Sequence, residues 1–449
     1  MLSINRNALS IAGGWWLPAA AAASIGIAAI SAARIHAWDV TGFVVSVIAA
    51  AVVYLCATIL VLRRQPQRRD LTIILLAALV MRGIALLPDP NLSTDAFRYV
   101  WDGRVQAAGF SPYLHVPADP QLAHLRDETI YPNINQKERA VTIYPPVAEL
   151  IFHAAHWVDV ALPGNGLNGI RTIMLALDIA TILAVVALLS ALGLARERVL
   201  IYAWHPLPIW EFVAQSHIDV AATLVIVLGL VAAVRGRQGF MGMAFALGAL
   251  VKYYPVVLLP ALWRRFDWRA PLAFVITVAV LYAPFVKEAG RGVLGFLGSH
   301  LDNEGYGAGW GFHPIWLLRD FNLADPPARA YIALALVVLT GLALNALFAR
   351  RADEIRFDRL LVLGGAFVFL TSPHYPWYFV FLVPLLAVTP RQWALAMTLL
   401  APLLYLPRPP GGVTWTELYL AVFWLPLAIG LASVLWRCWR SNNGGVEGT

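Results

Sequence analysis

Gly239–Trp263 reads GFMGMAFALGALVKYYPVVLLPALW. Two apolar runs are interrupted by one charge, Lys252, followed by Tyr253, Tyr254 and Pro255. A membrane span takes about 20 apolar residues, so the stretch suits neither one span nor two full ones. A charge at membrane depth costs at least about 2.5 kcal/mol on insertion scales. Pro255 removes a backbone donor beside it. The stretch is therefore expected to be a broken or re-entrant helix pair. Such backbone is tolerated at membrane depth only where protein or a cavity surrounds it, which marks a site.

The rest of the chain supports a membrane setting. Of 449 residues, 60% are hydrophobic and 13% charged, against about 25% charged in ordinary globular domains. The net charge of +7 does not point to nucleic acid. The basic residues gather in short loops between apolar runs, at 63–69, 235–237, 264–265, 350–351 and 437–440. That is the positive-inside pattern. The two cysteines, Cys56 and Cys438, suggest neither a disulfide framework nor a zinc site. The scarcity of Lys beside Arg, with abundant Ala, hints at a GC-rich bacterium; the expected location is then its inner membrane. The first apolar run, Gly14–Ile35, has Arg6 before it and small residues near its end, as a cleaved signal peptide would; its length and the second span close behind it favour an uncleaved signal-anchor.

Candidate spans are 16–34, 42–62, 71–88, 170–194, 199–214, 219–235, 270–286, 329–349, 359–374, 377–389, 391–406 and 416–436, with 145–161 and 240–263 as irregular pieces. The expected fold is an all-α polytopic membrane protein of about 12–14 membrane helices, in one domain over 1–449 with an N-terminal hairpin at 16–62. Counting crossings from the basic loops puts both termini in the cytoplasm and two large loops, 89–144 and 287–328, outside. Parity then requires that one apolar piece before residue 196 does not cross. The 145–161 segment is chosen as interfacial or re-entrant, because it opens on Pro145-Pro146 and carries Glu149, His153, His156 and Asp159.

The polar insertions expected on the outer face carry the candidate chemistry. If 94–109 is a helix, Asp95, Arg98, Tyr99 and Asp102 share one face. Asp95 lies at its N-terminus, where the helix dipole favours an ionised carboxylate. Such a carboxylate can act as a general base toward a hydroxyl. The same pattern also fits an amphipathic surface helix with an Arg98–Asp102 ion pair. Lys252 can neutralise a lipid-linked phosphate, or snorkel to an interface. QSHID (215–219) supplies His217 and Asp219, SPHYPWY (372–378) supplies His374, Tyr375 and Trp377, and GAGWGFHP (307–314) supplies Trp310 and His313. Asp178, inside a span, faces the bundle interior, either as a structural partner or as part of the site. His217 and Asp219 could ligate a metal, but no tight ligand spacing supports such a site.

Several of these runs carry a resemblance: STDAFRYVWDGRVQAAGFSPY (93–113), LRDETIYPNIN (125–135), TIYPPVAELIF (142–152), AWHPLPIWEFVAQSHID (203–219), LVKYYPVVLLP (250–260) and SPHYPWYFVFLVPLL (372–386). Together they resemble bacterial polyprenyl-phosphate-mannose-dependent mannosyltransferases of the GT-C superfamily, glycosyltransferase family 87 and its relatives. The resemblance extends from about residue 71 to 390. The chain departs from it in its N-terminal hairpin, and in a single Asp95 preceded by Ser-Thr where relatives often carry paired acidic residues. The second departure leaves use of a divalent cation open.

The resemblance implies a GT-C-like bundle and an inverting transfer from a lipid-linked sugar phosphate to an acceptor hydroxyl of a lipid or glycan. Asp95 would be the base. Lys252, His374 and Arg98 would meet the donor phosphate, with Tyr253 and Tyr375 lining the lipid or sugar site. Tyr99, Asp102, Arg104, Tyr144, His217, Asp219, His313 and Trp377 would position substrates. The active site would face the extracytoplasmic side, and no cofactor is required with certainty. A transporter of lipid-linked sugars would call for inverted repeats and midplane sites, and no repeat is found. An O-antigen ligase or polymerase would use a large later loop rich in Arg and His, whereas the richest loop here comes early.

Overall fold

A computed structural model describes residues 15–162, 164–348 and 355–443. Among these residues the regular structure is helical throughout. The basic pair at 350–351 and the GGVEGT tail lie outside the described residues. Helices α1 (Trp16–His36) and α2 (Val40–Arg63) form the expected hairpin. Asp39 caps α2 by accepting the Gly42 amide at 2.8 Å, as an N-cap carboxylate does. Next come α3 (Asp70–Ala85), α4 (Asp95–Ala107), α5 (Pro146–Ala161) and α6 (Asn168–Ala191). Asp95 opens α4, within the expected helix 94–109, and Gly109 lies in the turn beyond it at φ +82°.

The expected span 199–214 is not one helix. It consists of α7 (Leu200–Ala203), a bend at His205-Pro206, and a π-helical turn at Pro208–Ala214. Two prolines that cannot donate to the ladder account for the break. The whole of this stretch is buried, so its free backbone groups face protein rather than lipid. Then follow α8 (Asp219–Val234) and α9 (Gln238–Ala249), after which the chain breaks where the sequence said it would. Lys252 lies outside any helix, and the chain resumes as a 3₁₀ turn, Tyr254–Leu258, running into α10 (Leu259–Leu262).

The remaining helices are α11 (Arg269–Ala289), α12 (Leu297–Asn303), α13 (His313–Asp320), α14 (Ala328–Phe348), α15 (Phe357–Thr371), α16 (Val383–Val388), α17 (Gln392–Leu400), α18 (Trp415–Tyr419) and α19 (Leu425–Asn443). The expected spans 377–389 and 391–406 are each part 3₁₀, at Pro376–Leu382 and Ala401–Tyr405. Six segments among the described residues are long and apolar enough to cross a membrane. The protein is an all-α polytopic membrane protein.

Sequential packing builds the bundle: α1 on α2 and α3, α4 on α5, α5 on α6, α6 on α8, α8 on α9, and α9 on α11. The α4–α5 contact is close enough that a Cβ on Gly103 would sit 2.2 Å from the Phe152 carbonyl oxygen, so a larger residue there forces the helices apart. The two large loops meet at Thr142. Its amide donates to the Pro112 carbonyl at 3.0 Å, and its own carbonyl accepts from Phe296 at 3.2 Å. Gly295, at φ +56°, lets the second loop approach.

Candidate active site

Asp219 is the first residue of α8, where the helix dipole favours its charge. It is fully buried, and Lys252 Nζ reaches its Oδ2 at 2.7 Å. The ammonium also lies 4.6 Å from the centre of the Tyr378 ring, a cation–π contact. The break in the membrane segment therefore places a lysine charge between a carboxylate and an aromatic face. The two expected residues Lys252 and Asp219 form one unit.

A second unit comes from SPHYPWY and the second large loop. His374 Nδ1 lies 3.2 Å from Glu304 Oε2, and its Nε2 lies 3.0 Å from the Gly311 carbonyl oxygen. Both neighbours are acceptors, and a neutral imidazole can donate only one hydrogen bond. The neutral ring thus donates to one of the two, and the pair of acceptors fixes its orientation. The Tyr375 hydroxyl also donates to Glu304, at 3.3 Å. Tyr375 stacks on Trp377 at 4.5 Å, and Trp377 stacks on His217 at 3.9 Å. His217 is fully buried, with Glu211 Oε2 3.2 Å from its Nδ1.

The third unit is the opening of α4. Tyr99 donates to Asp95 Oδ2 at 3.3 Å, and its ring packs edge-on against Tyr144 at 5.1 Å. Burial pushes the Tyr144 phenol well above its ordinary pKa, and the nearby Asp95 charge adds to that shift. Burial likewise raises Tyr375, with the charges of Glu304 and Asp95 adding to it. Asp95 is thus an electrostatic neighbour of both phenols and of Lys252. A cavity of about 420 Å³ opens between the units, walled by Tyr144, Lys252, Tyr253, Glu304, His374, Tyr375 and Tyr378. That volume is in the range of small-ligand sites.

Other expected residues are taken up elsewhere. Arg98 Nε donates to both oxygens of Asp102, at 2.9 and 3.0 Å, and its Nη1 donates to the Ala140 carbonyl at 2.9 Å. That ties α4 to the end of the first loop. Arg104 bonds Asp127 at 2.6 Å. His313 is fully buried, with Nε2 on the Phe369 carbonyl at 2.8 Å and Nδ1 accepting from Trp424 at 3.1 Å. Burial lowers its pKa to about 3, so it is a neutral strut. Asp178 is fully buried against Arg82, and Tyr202 donates to it at 2.6 Å. It is structural. Among the described residues no three His, Cys, Asp or Glu side chains gather into a set able to hold a metal ion.

Burial pushes the Asp127 carboxyl up, but Arg104 and the amides of Ile130 and Tyr131 outweigh it and hold it below the ordinary carboxylate value. The stabilisation from this group is fully present above the unfolded pKa of about 3.9 and fades as pH falls through the depressed folded value. Limited proteolysis of the 120–133 segment is expected to stay slow down to that range and to speed up only below it. Asp127→Asn makes cleavage fast at neutral pH. A wild-type profile already rising near about pH 6 would contradict this linkage.

Sequence reading missed Glu304, Tyr378 and Glu211. Glu304 sits six residues before the Trp310 that drew attention to its loop, but nothing local distinguishes it from a solvated acid. Glu304→Gln keeps the shape and weakens the hold on His374. It is expected to lower kcat about tenfold, the scale on which an outer hydrogen-bond partner tunes the group it orients; unchanged kcat would contradict that role.

The family model described as glycosyltransferase family 87 matches residues 142–373. The matched stretch contains Tyr144, His217, Asp219, Lys252 and Glu304; it begins after Asp95 and ends just before His374. No curated protein and no solved structure matches the chain. The family match covers more than half of the chain, and its residues include the lysine–carboxylate unit at the break. The chain belongs to glycosyltransferase family 87 and is a membrane-embedded glycosyltransferase.

Proposed function

We propose that the enzyme transfers a sugar, mannose by the family resemblance, from a polyprenyl-phosphate donor to a lipid or glycan hydroxyl at the extracytoplasmic face, with inversion. The observation that carries this reading is Lys252, placed in the break of a membrane segment and on the wall of an aromatic-lined cavity. A donor whose phosphate sits at the membrane interface and whose chain stays in the bilayer meets a cation there.

In this reading Asp95 takes the proton of the acceptor hydroxyl as its oxygen attacks the anomeric carbon. The bond from that carbon to the phosphate oxygen breaks, and the polyprenyl phosphate leaves with the electron pair. Lys252 and a hydrogen bond from His374 stabilise the charge that grows on it. Tyr253, Tyr375 and Trp377 line the sugar and the start of the chain. His217 backs Trp377, and Asp219 holds Lys252.

The test uses purified full-length protein in lipid, radiolabelled polyprenyl-phosphate-mannose and a membrane-lipid acceptor pool. Transfer supports the reading. Transfer from a sugar nucleotide instead would overturn the donor class. No transfer from any polyprenyl-phosphate sugar, across several acceptor pools, would favour a transporter. Lys252→Ala is expected to lower kcat by about 10²–10³-fold, the effect of removing one preorganised donor to developing charge. It also strands Asp219 as a buried charge. The double variant Lys252→Ala/Asp219→Asn separates the two effects: folding recovers, activity does not.

A further inference from the structure

The active-site cavity does not end the concave surface. A second cavity, of about 410 Å³, is walled by Val256, Leu259, Pro260, Trp263, Thr340, Ala343, Leu344 and Leu347 among others. Two of its walls continue those of the first. The active-site cavity is bounded by Tyr253 and Tyr254 on the broken segment and by Ile332 on α14. The second is bounded by the next turns of the broken segment and by later turns of α14. At 100° per residue, Ile332, Thr340, Ala343, Leu344 and Leu347 fall within about 120° of arc, one face of the helix. Ile332 and Leu347 are fifteen residues apart, about 22 Å of helix rise. A hydrocarbon core is about 30 Å thick, so the track runs most of the way across.

The packing explains why the track is open. Helix α14 packs against α15 and α10, and Ala328 and Ala346 are its buried residues among those described. The walls of the second cavity are aliphatic or aromatic apart from Thr340. One end of the track holds Lys252, and the other closes at Trp263 beside the basic pair Arg264-Arg265. An apolar groove whose walls run on from those of a cavity holding a cation fits an amphiphile with one anionic head and a long hydrocarbon chain.

The geometry points to the seam between α14 and residues 253–263 as the binding track for the long isoprenoid chain of the donor, running from Lys252 past Ala343 to Trp263. This rests on the polyprenyl-phosphate reading above and adds a chain-length requirement to it. Contacts along the track are made by the distal chain, so they tighten binding without touching the reacting atoms.

The test compares two donors with the same sugar and phosphate, one with a full-length polyprenyl chain and one with a short soluble isoprenyl chain. In Ala343→Trp, which fills the second cavity, KM for the long-chain donor rises about fivefold or more at unchanged kcat, and the short-chain KM stays within about twofold. Leu334→Trp, on the opposite side of α14 and already 58% exposed, moves neither. An equal effect of Ala343→Trp on both donors, or on neither, overturns the track. A benzophenone amino acid at position 343 gives a readout that does not depend on turnover. It is expected to capture labelled long-chain donor, with competition by unlabelled donor. Capture of bilayer phospholipid alone overturns the proposal. A wild type that transfers from neither donor fails the underlying reading, while photocapture still decides the track.

Discussion

Asp95→Asn keeps its fold and its donor binding and loses transfer by about 10²–10⁴-fold, the usual contribution of a positioned base. Asn preserves the shape of the side chain and can still accept the Tyr99 hydroxyl now 3.3 Å from Asp95 Oδ2. What it cannot do is take a proton. The carboxylate opens α4, where the dipole stabilises its anion, beside Tyr144 and within the field of Lys252. Initial rates with radiolabelled donor, run beside photoaffinity labelling, separate binding from chemistry. Transfer that survives in Asp95→Asn would remove the base assignment and turn attention to Glu304, the carboxylate on the cavity wall.

Asp178→Ala unfolds the bundle more readily by about 3–5 kcal/mol, the cost of leaving a buried charge without its partner. Arg82 is fully buried, with its Nε on Asp178 and its Nη1 on the Ala203 carbonyl at 2.8 Å. Removing the acid leaves the guanidinium with carbonyl partners alone and strands the Tyr202 hydroxyl as well. The double variant Arg82→Met/Asp178→Leu returns near to wild-type stability, because apolar replacement of a whole buried pair is often neutral or better. Denaturation midpoints in mild detergent, in the absence of substrate, read both effects. A single variant as stable as wild type would show that the pair is solvated or replaceable.

The break at Lys252 was legible because its signal is local: a charge and a proline inside an apolar run leave few conformations at membrane depth. The helix at Asp95 was legible for a similar reason, from face spacing and an acid at its start. The span expected at 199–214 failed on the same evidence read too coarsely. An apolar length was taken as a helix although it holds Pro206 and Pro208, where the structure holds a bend and a π turn. The roles of Arg98, Asp102 and Arg104 came from the family resemblance, and their partners in the structure could not be read from the sequence. In the structure they fasten the first loop, through Ala140 and Asp127.

Composition and loop charge sufficed for a polytopic helical membrane protein, because lipid leaves the backbone no other common solution and the period of apolar residues is written in the chain. Lys252 and Asp219 could be named separately, Lys252 as a charge where charges are costly and Asp219 as part of a polar insertion between apolar runs. Their pairing could not be read. Thirty-three positions separate them, and nothing in either motif encodes the 2.7 Å between their atoms. Glu304 meeting His374, the stack of Tyr375, Trp377 and His217, and the burial of His313 all depend on how loops far apart in sequence close over one cavity. Those are long-range contacts set by packing, and only the tertiary structure decides them.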